Sequence, residues 1–396
     1  YKRQGIYRDE QGNELDAQQA GTVTYVEVKD IPAMGTGTII FEEKKAEETE
    51  AEFTICGKNI ETPYYSMSMN GYGQITRLYD KIFARDVLPK GDRANVFQMF
   101  EDKPLDNDAW DIDIFYQEKM REITDMTKFE VIECGPLQMK IHMEWNYMNS
   151  FIAQDMVLYS NTRRIDFRTT VDYHEQHQLL KVAFPVDIRS TYGTYDVQYG
   201  NVRRPNHWNT SWDQARFESV AHRWADLSER NYGVSLLNDC KYGHDIKDNV
   251  IRMSLLKAAT HPDHLQDQGM HEFTYALLPH GGDFVEGRVV QEAYALNDPM
   301  LVVHGISDLG YESFVRFDND QIELDAVKKS EDGDYIVIRF HEFAGSAQNV
   351  TVYPGFHFKS WVECDLRERP VGSVSQEKEI HLSMHAYEIK TILVQL

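Results

Sequence analysis

The chain is 396 residues long, carries 41 Lys and Arg against 64 Asp and Glu for a formal charge of −23, has a pI near 5.0, and is 42% hydrophobic. That length allows two or three domains with ample cores, because single cores stop growing near about 250–300 residues, and the acidity repels nucleic-acid backbones and anionic membrane surfaces. No run of about 18 apolar residues offers a transmembrane helix, and Cys56, Cys134, Cys240 and Cys364 form no C-x-x-C pair, so they read as reduced, mostly buried thiols of a cytoplasmic protein rather than a metal or disulfide framework.

In chain order, Tyr1-Lys2-Arg3-Gln4-Gly5-Ile6 has neither a Met nor the apolar stretch of a signal peptide, which raises the expectation of a piece of a longer protein. Val23 to Lys29 is a first strand. The charge run 42–50 has little to bury and is expected to be a solvated connector. Further β-branched or aromatic runs cover Gln138 to Trp145 and Tyr335 to Phe340, and apolar and polar residues largely alternate in Arg164 to Asp172 and Ile380 to Ala386. Turn signals at Gln11-Gly12-Asn13, Asn70-Gly71 and Asp332-Gly333 separate such runs. Sustained helical periodicity is scarce, so the chain is expected to be mainly β. The composition shifts divide it into a small N-terminal β-element and charged linker (1–55), a central sandwich (56–318) and a C-terminal β-domain (319–396).

Chemistry concentrates first in Asn107 to Tyr116, where three carboxylates and three aromatics follow closely on Phe97-Gln98-Met99-Phe100-Glu101-Asp102. Aromatic faces beside carboxylates suit a sugar ring and its hydroxyls. As a strand, this segment would put Asp111 and Asp113 on one face and Trp110 and Ile112 on the other. In the alternative reading, Trp110 and Phe115 are core and the Asp residues form turns or salt bridges. His174-Glu175-Gln176-His177 has a metal-like spacing, yet fits better the loop that closes a strand. Asn201 to Trp212 gathers Arg203, Arg204, His207, Trp208 and Trp212 in a turn-rich stretch, read as a domain or subunit interface in preference to a saccharide platform. Asn238-Asp239-Cys240-Lys241-Tyr242-Gly243 either presents Asp239 and Lys241 to a substrate hydroxyl or forms an Asx-turn with a buried ion pair.

Several strings then resemble one family. Ile75 to Lys81 with Arg85 to Pro89 is similar to the strand-turn-strand opening of the β-sandwich in family 38 glycoside hydrolases, the α-mannosidases, with the turn expected at Tyr79-Asp80-Lys81. Trp224 to Glu229, Tyr232 to Gly243 and His271 to His280 resemble its cytosolic-type branch, and Ala326 to Lys329, Arg339 to Glu342 and Glu363 to Glu368 resemble its terminal β-domain. The resemblance implies a large galactose mutarotase-type β-supersandwich with small flanking β-sandwich domains, the half of the enzyme C-terminal to its catalytic barrel. It implies that the zinc ion, the nucleophile and the acid/base belong to that barrel. No catalytic residue, cofactor or metal is therefore expected in this chain.

The α-mannoside substrate would be shared between the two halves, with a homodimer as a further expectation. Asp108, Trp110, Asp111, Asp113, Asp239 and Lys241 are the expected rim of the sugar pocket, joined by Lys257, which sits near where family members more often place an Arg reaching the active site. Two other classes remain open. One is a stand-alone carbohydrate-binding sandwich, the other a mutarotase-like epimerase, which needs a His and a Glu facing each other in a cleft.

Overall fold

A computed structural model describes residues 5–44, 51–305 and 313–396. Residues 1–4, most of the charge run 42–50, and part of the 310–325 boundary region lie outside the described residues.

Two antiparallel sheets face each other in the middle of the chain. The larger has nine strands in the order Asp125–Cys134, Gln138–Tyr147, Ser150–Tyr159, Ile165–Tyr173, Gly269–Gly281, Tyr232–Asn238, Trp224–Ser228, Tyr192–Val197 and Gly200–Pro205. The smaller has six, in the order Met120–Glu122, Val96–Glu101, Gln178–Pro185, Val250–Lys257, Gly243–Lys247 and Ser219–Val220. Alternation explains the core between them. Ile165, Phe167, Val171 and Tyr173 point inward and are buried, while Arg168 points out. Asp166 breaks the pattern and is buried on the outer face, where Arg164 Nε (2.6 Å) and the Tyr159 hydroxyl (2.8 Å) satisfy it.

Inside the sandwich one polar ring is closed on itself. Asn95 donates to Gln154 Oε1 (2.8 Å), Gln154 donates to Thr169 Oγ1 (2.9 Å) and the Tyr275 hydroxyl (2.8 Å), and Tyr275 donates back to Asn95 Oδ1 (2.7 Å). A fully satisfied ring fixes the register of the facing sheets without the cost of an orphaned polar group.

Smaller sheets flank the sandwich. Near the N-terminus the hairpin of Ala17–Ala20 and Val23–Val26 pushes Gln18 into the central domain, where its amide bonds the backbone of Leu137 and Gln138. A Cβ on Gly135 would lie 2.4 Å from the Gln18 side chain, so the glycine makes this approach feasible. The C-terminal part has its own core of Val315, Ile338, Phe340, Val352, Ile380, Ile392 and others. It is joined to the sandwich by a two-pronged Arg223 to Glu323 ion pair (2.6 and 3.1 Å) and by Asn201, which donates to the Phe343 carbonyl (3.0 Å).

Two expectations need correction. The opening turn comes after Asp80 rather than on it: the strand runs Ile75–Asp80, and the buried Asp80 carboxylate accepts from the backbone of Ile82 (2.9 Å) and Phe83 (3.1 Å), which bends the chain one step later. Among the cysteines only Cys364 is buried; Cys56, Cys134 and Cys240 are exposed, and all four are free thiols.

Candidate functional site

The loop that leaves strand Val96–Glu101 carries most of the candidate chemistry. It is a turn followed by a short 3-10 segment, Ile114–Glu118, and not a strand, so the face assignment expected for Asp111 and Asp113 does not apply. Asp108 fixes it. Its Oδ2 accepts from the backbone N of Thr260 (2.7 Å) and His261 (3.1 Å) and from the Thr260 hydroxyl (3.2 Å), and Asn107 turns the chain with φ +57°. Burial pushes the Asp108 carboxyl up, but those hydrogen bonds prevail and hold it below the ordinary aspartate range. Asp113 accepts from the Leu105 backbone (2.8 Å) and closes the loop on itself, while the Asp111 carboxylate accepts from the N of its neighbour Ile112 (3.2 Å). The clamped loop holds Trp110 72% exposed, with Leu105 at 84% and Phe115 at 61%. These aromatics are therefore not core.

Behind the loop, Lys257 at the end of Val250–Lys257 forms an ion pair with Asp102, which is only 1% exposed. Burial raises the Asp102 carboxyl against the pull of the Lys257 ammonium, and the charges of Asp108 and His177 also act on it. His177, in the left-handed region with φ +52°, brings its Nδ1 to 3.8 Å from Asp108 Oδ1 and its Nε2 to 3.2 Å from the Thr260 hydroxyl. Asp102 Oδ1, Asp108 Oδ1 and His177 Nδ1 are buried without a hydrogen-bond partner, a rare state for such groups in a folded core. Lys257 and Ile112 also line a cleft of about 410 Å³ over the outer face of the six-stranded sheet. Chemically this is a set of fixed acceptors and one cation beside an exposed indole, suited to holding hydroxyls.

Asp239 and Lys241 take no part in it. Asp239 accepts from the Thr274 backbone (2.9 Å) and extends the ladder to strand Gly269–Gly281; Lys241 N closes an Asx-turn on Asn238 (2.7 Å), and its ammonium lies 4.6 Å from the Phe273 ring centre. The turn is as expected, but a cation on an aromatic face replaces the expected ion pair. In the 201–212 stretch, Arg204 covers the Tyr195 ring at 4.7 Å and donates to the Val220 carbonyl (2.9 Å), and Lys247 sits 4.9 Å from the half-buried Trp208 ring. Trp212 is exposed on a four-residue helix capped by Thr210 and Asp213, and Arg203 lines a separate cavity. Among the described residues no three His, Cys, Asp or Glu side chains are placed to hold a metal ion.

Residues 60–265 match the glycosyl hydrolases family 38 C-terminal domain, and residues 321–392 match the family 38 C-terminal beta sandwich domain. The chain belongs to glycoside hydrolase family 38. Family members similar to it include alpha-mannosidase G of Dictyostelium discoideum, 36% identical over 84% of this chain and 32% of that protein, and human alpha-mannosidase 2C1, 35% identical over 82% and 32%. The chain thus spans about a third of the length of the curated relatives it matches. The crystal structure of an alpha-mannosidase from Enterococcus faecalis superposes with a TM-score of 0.77 at 15% identity, over 100% of this chain and 51% of that one. The family 38 fold is therefore shared along the entire chain.

Sequence reasoning missed Asp102 and His177 as members of the loop cluster. Asp102 directly follows an apolar strand, and His177 closes the loop after Ile165–Tyr173, so the signal was a polar residue at a strand end. A His facing a Glu, needed by an epimerase, lines neither cleft over the six-stranded sheet; His142 instead bonds Asp155 (2.7 Å) and Glu144 (2.9 Å) on the nine-stranded sheet.

Proposed function

We propose that this chain is the non-catalytic C-terminal part of a cytoplasmic α-mannosidase, in which it supports the catalytic half and completes the rim of the sugar pocket. Retaining hydrolysis of an α-mannoside needs two carboxyls about 5 to 5.5 Å apart, and these, with the zinc ion, would come from an N-terminal barrel. The present chain contributes position. Asp108 and Asp113 hold the loop in one shape, Trp110 offers an apolar face, and Asp102 with Lys257 fixes the strand ends behind it.

The observation that carries this reading is the pairing of opposites in one loop: a backbone clamped by an inward carboxylate, and Leu105, Trp110 and Phe115 presented to solvent. Large exposed apolar groups on an ordered loop mark a surface that is covered in the working protein. The test is to express the two halves of the encoded enzyme separately and mix them. A stable complex that Trp110→Ser weakens about tenfold or more supports the reading. Micromolar mannose binding by this chain alone, lost in the same variant, would instead favour a free-standing carbohydrate-binding module.

A further inference from the structure

A second cavity, of about 740 Å³, opens over the opposite, outer face of the nine-stranded sheet and takes no part in the proposal above. Its floor is built from Asp226 and Ser228 of strand Trp224–Ser228 with Thr194 of strand Tyr192–Val197, and its walls from Arg189 to Tyr192, Arg203, Glu229, Arg230 and the loop after Gly281. The floor is electrostatically settled. Asp226 accepts from the hydroxyls of Ser228 (2.6 Å) and Ser235 (2.7 Å) and bonds His280 Nε2 (2.9 Å). The same Nε2 faces Ser235 (3.2 Å), so the three do not form a Ser-His-Asp relay, which needs the two ring nitrogens on different partners. Glu229 is taken by Arg85 (2.6 Å). Glu286 accepts from the Asp283 backbone (3.0 Å), and burial and the bond to Glu286 raise the Asp283 carboxyl, so the two acids share their charge.

The walls are not settled. The guanidinium groups of Arg189, Arg203 and Arg230 have no hydrogen bond or ion pair among the described residues, although the chain carries a formal charge of −23 and acidic side chains are plentiful. Three unpaired forks around one cavity match an oxyanion in geometry as well as charge. Asp283, Glu286 and the hydroxyls of Thr191 and Thr194 offer acceptors and donors of the kind that hold a polyol, and the volume is that of a small-molecule site. We propose that this cavity binds a phosphorylated sugar, its phosphomonoester held by the three arginines and its hydroxyls by the acidic lip.

Calorimetric titration of the whole chain with a hexose 6-phosphate, the parent hexose and inorganic phosphate tests this directly. The hexose phosphate is expected to bind at about 0.1–1 mM, at least tenfold tighter than either fragment, and to weaken as salt rises. Arg203→Gln with Arg230→Gln should abolish that binding and leave the melting temperature of the free chain unchanged, since neither side chain has a partner among the described residues. Binding that survives both substitutions, or no heat with the hexose phosphate, overturns the site. Inorganic phosphate binding as tightly as the sugar ester overturns the assignment of the ligand class. Neither result bears on the supporting role proposed above, whose test uses a different surface.

Discussion

Lys181 is completely buried in the strand Gln178–Pro185, on the outer face of the six-stranded sheet. Its ammonium pairs with Glu218 and, at 2.5 Å, with Asp245, and the Tyr116 hydroxyl lies 3.3 Å away; Asp245 in turn holds Arg252 (2.8 Å) and Glu218 accepts from the Tyr116 hydroxyl (2.6 Å). This network ties the segments around Tyr116 and Glu218 to the sheet. Lys181→Met leaves the partly buried Glu218 carboxylate without its cation and Asp245 with Arg252 alone, a change that costs about 3–5 kcal/mol, or roughly 4–6 °C in melting temperature for a chain of this size. The sign with pH follows from Glu218, whose carboxyl burial already pushes up. Without the lysine it rises further, so the loss is smallest in acid, where Glu218 is protonated in both states, and grows towards neutrality. Thermal unfolding followed by circular dichroism at about pH 5 and about pH 8 measures both. Lys181→Met with Glu218→Gln should recover part of the loss. A penalty under about 1 kcal/mol at both pH values, or one that shrinks as pH rises, would mean that Lys181 does not neutralise these carboxylates.

Four shorter predictions accompany it. His244 is fully buried, and burial lowers its pKa to about 4 from an ordinary value of 6.5; the folded state then resists protonation, so stability present above about pH 6.5 is lost on acidification towards pH 4, by up to about 3 kcal/mol. Denaturant melts of His244→Met should show a flatter slope across that window. Asp108→Ala removes three hydrogen bonds to 260–261 and should cost about 1–3 kcal/mol, with faster amide exchange across 103–113; unchanged exchange there would separate the clamp from the loop. Trp110→Ser should leave the stability of the isolated chain within about 0.5 kcal/mol, because the ring packs on little, as urea unfolding can check. Glu323→Gln should loosen the joint to the C-terminal part, which differential scanning calorimetry would register as two transitions drawn further apart.

The strands were readable wherever one face was wet. Ile165–Tyr173 and Ile380–Met384 alternate because each lies between core and solvent, and their period survives in the sequence. The candidate loop was readable only in part. The aromatics and acids of Asn107 to Tyr116 mark it, but the partner of Asp108 is the backbone at Thr260, 152 residues away, and no local pattern encodes that contact. For the same reason Asp239 and Lys241 looked like the other polar candidates, although the ladder to Thr274 and the face of Phe273 occupy them. Lys181 did leave a signal: a single cation within Leu179-Leu180-Lys181-Val182-Ala183-Phe184 requires a buried counter-charge. Of the cavity arginines only Arg203 stood out, as part of the 201–212 stretch, because Arg189 in a loop, Arg203 within a strand and Arg230 in a turn are far apart in sequence and share no local pattern.

In the proposed division of labour, this half of a family 38 protein positions and the other half reacts. Turnover of an aryl α-mannoside measures it most directly, using this chain alone with added zinc, the catalytic half alone, and the two mixed. No turnover by this chain is expected, and in the mixture a rate that rises with its concentration to saturation and needs more of the Trp110→Ser variant to reach it. Hydrolysis by this chain alone that persists through repurification and is abolished by substituting one of its own carboxylates would contradict it.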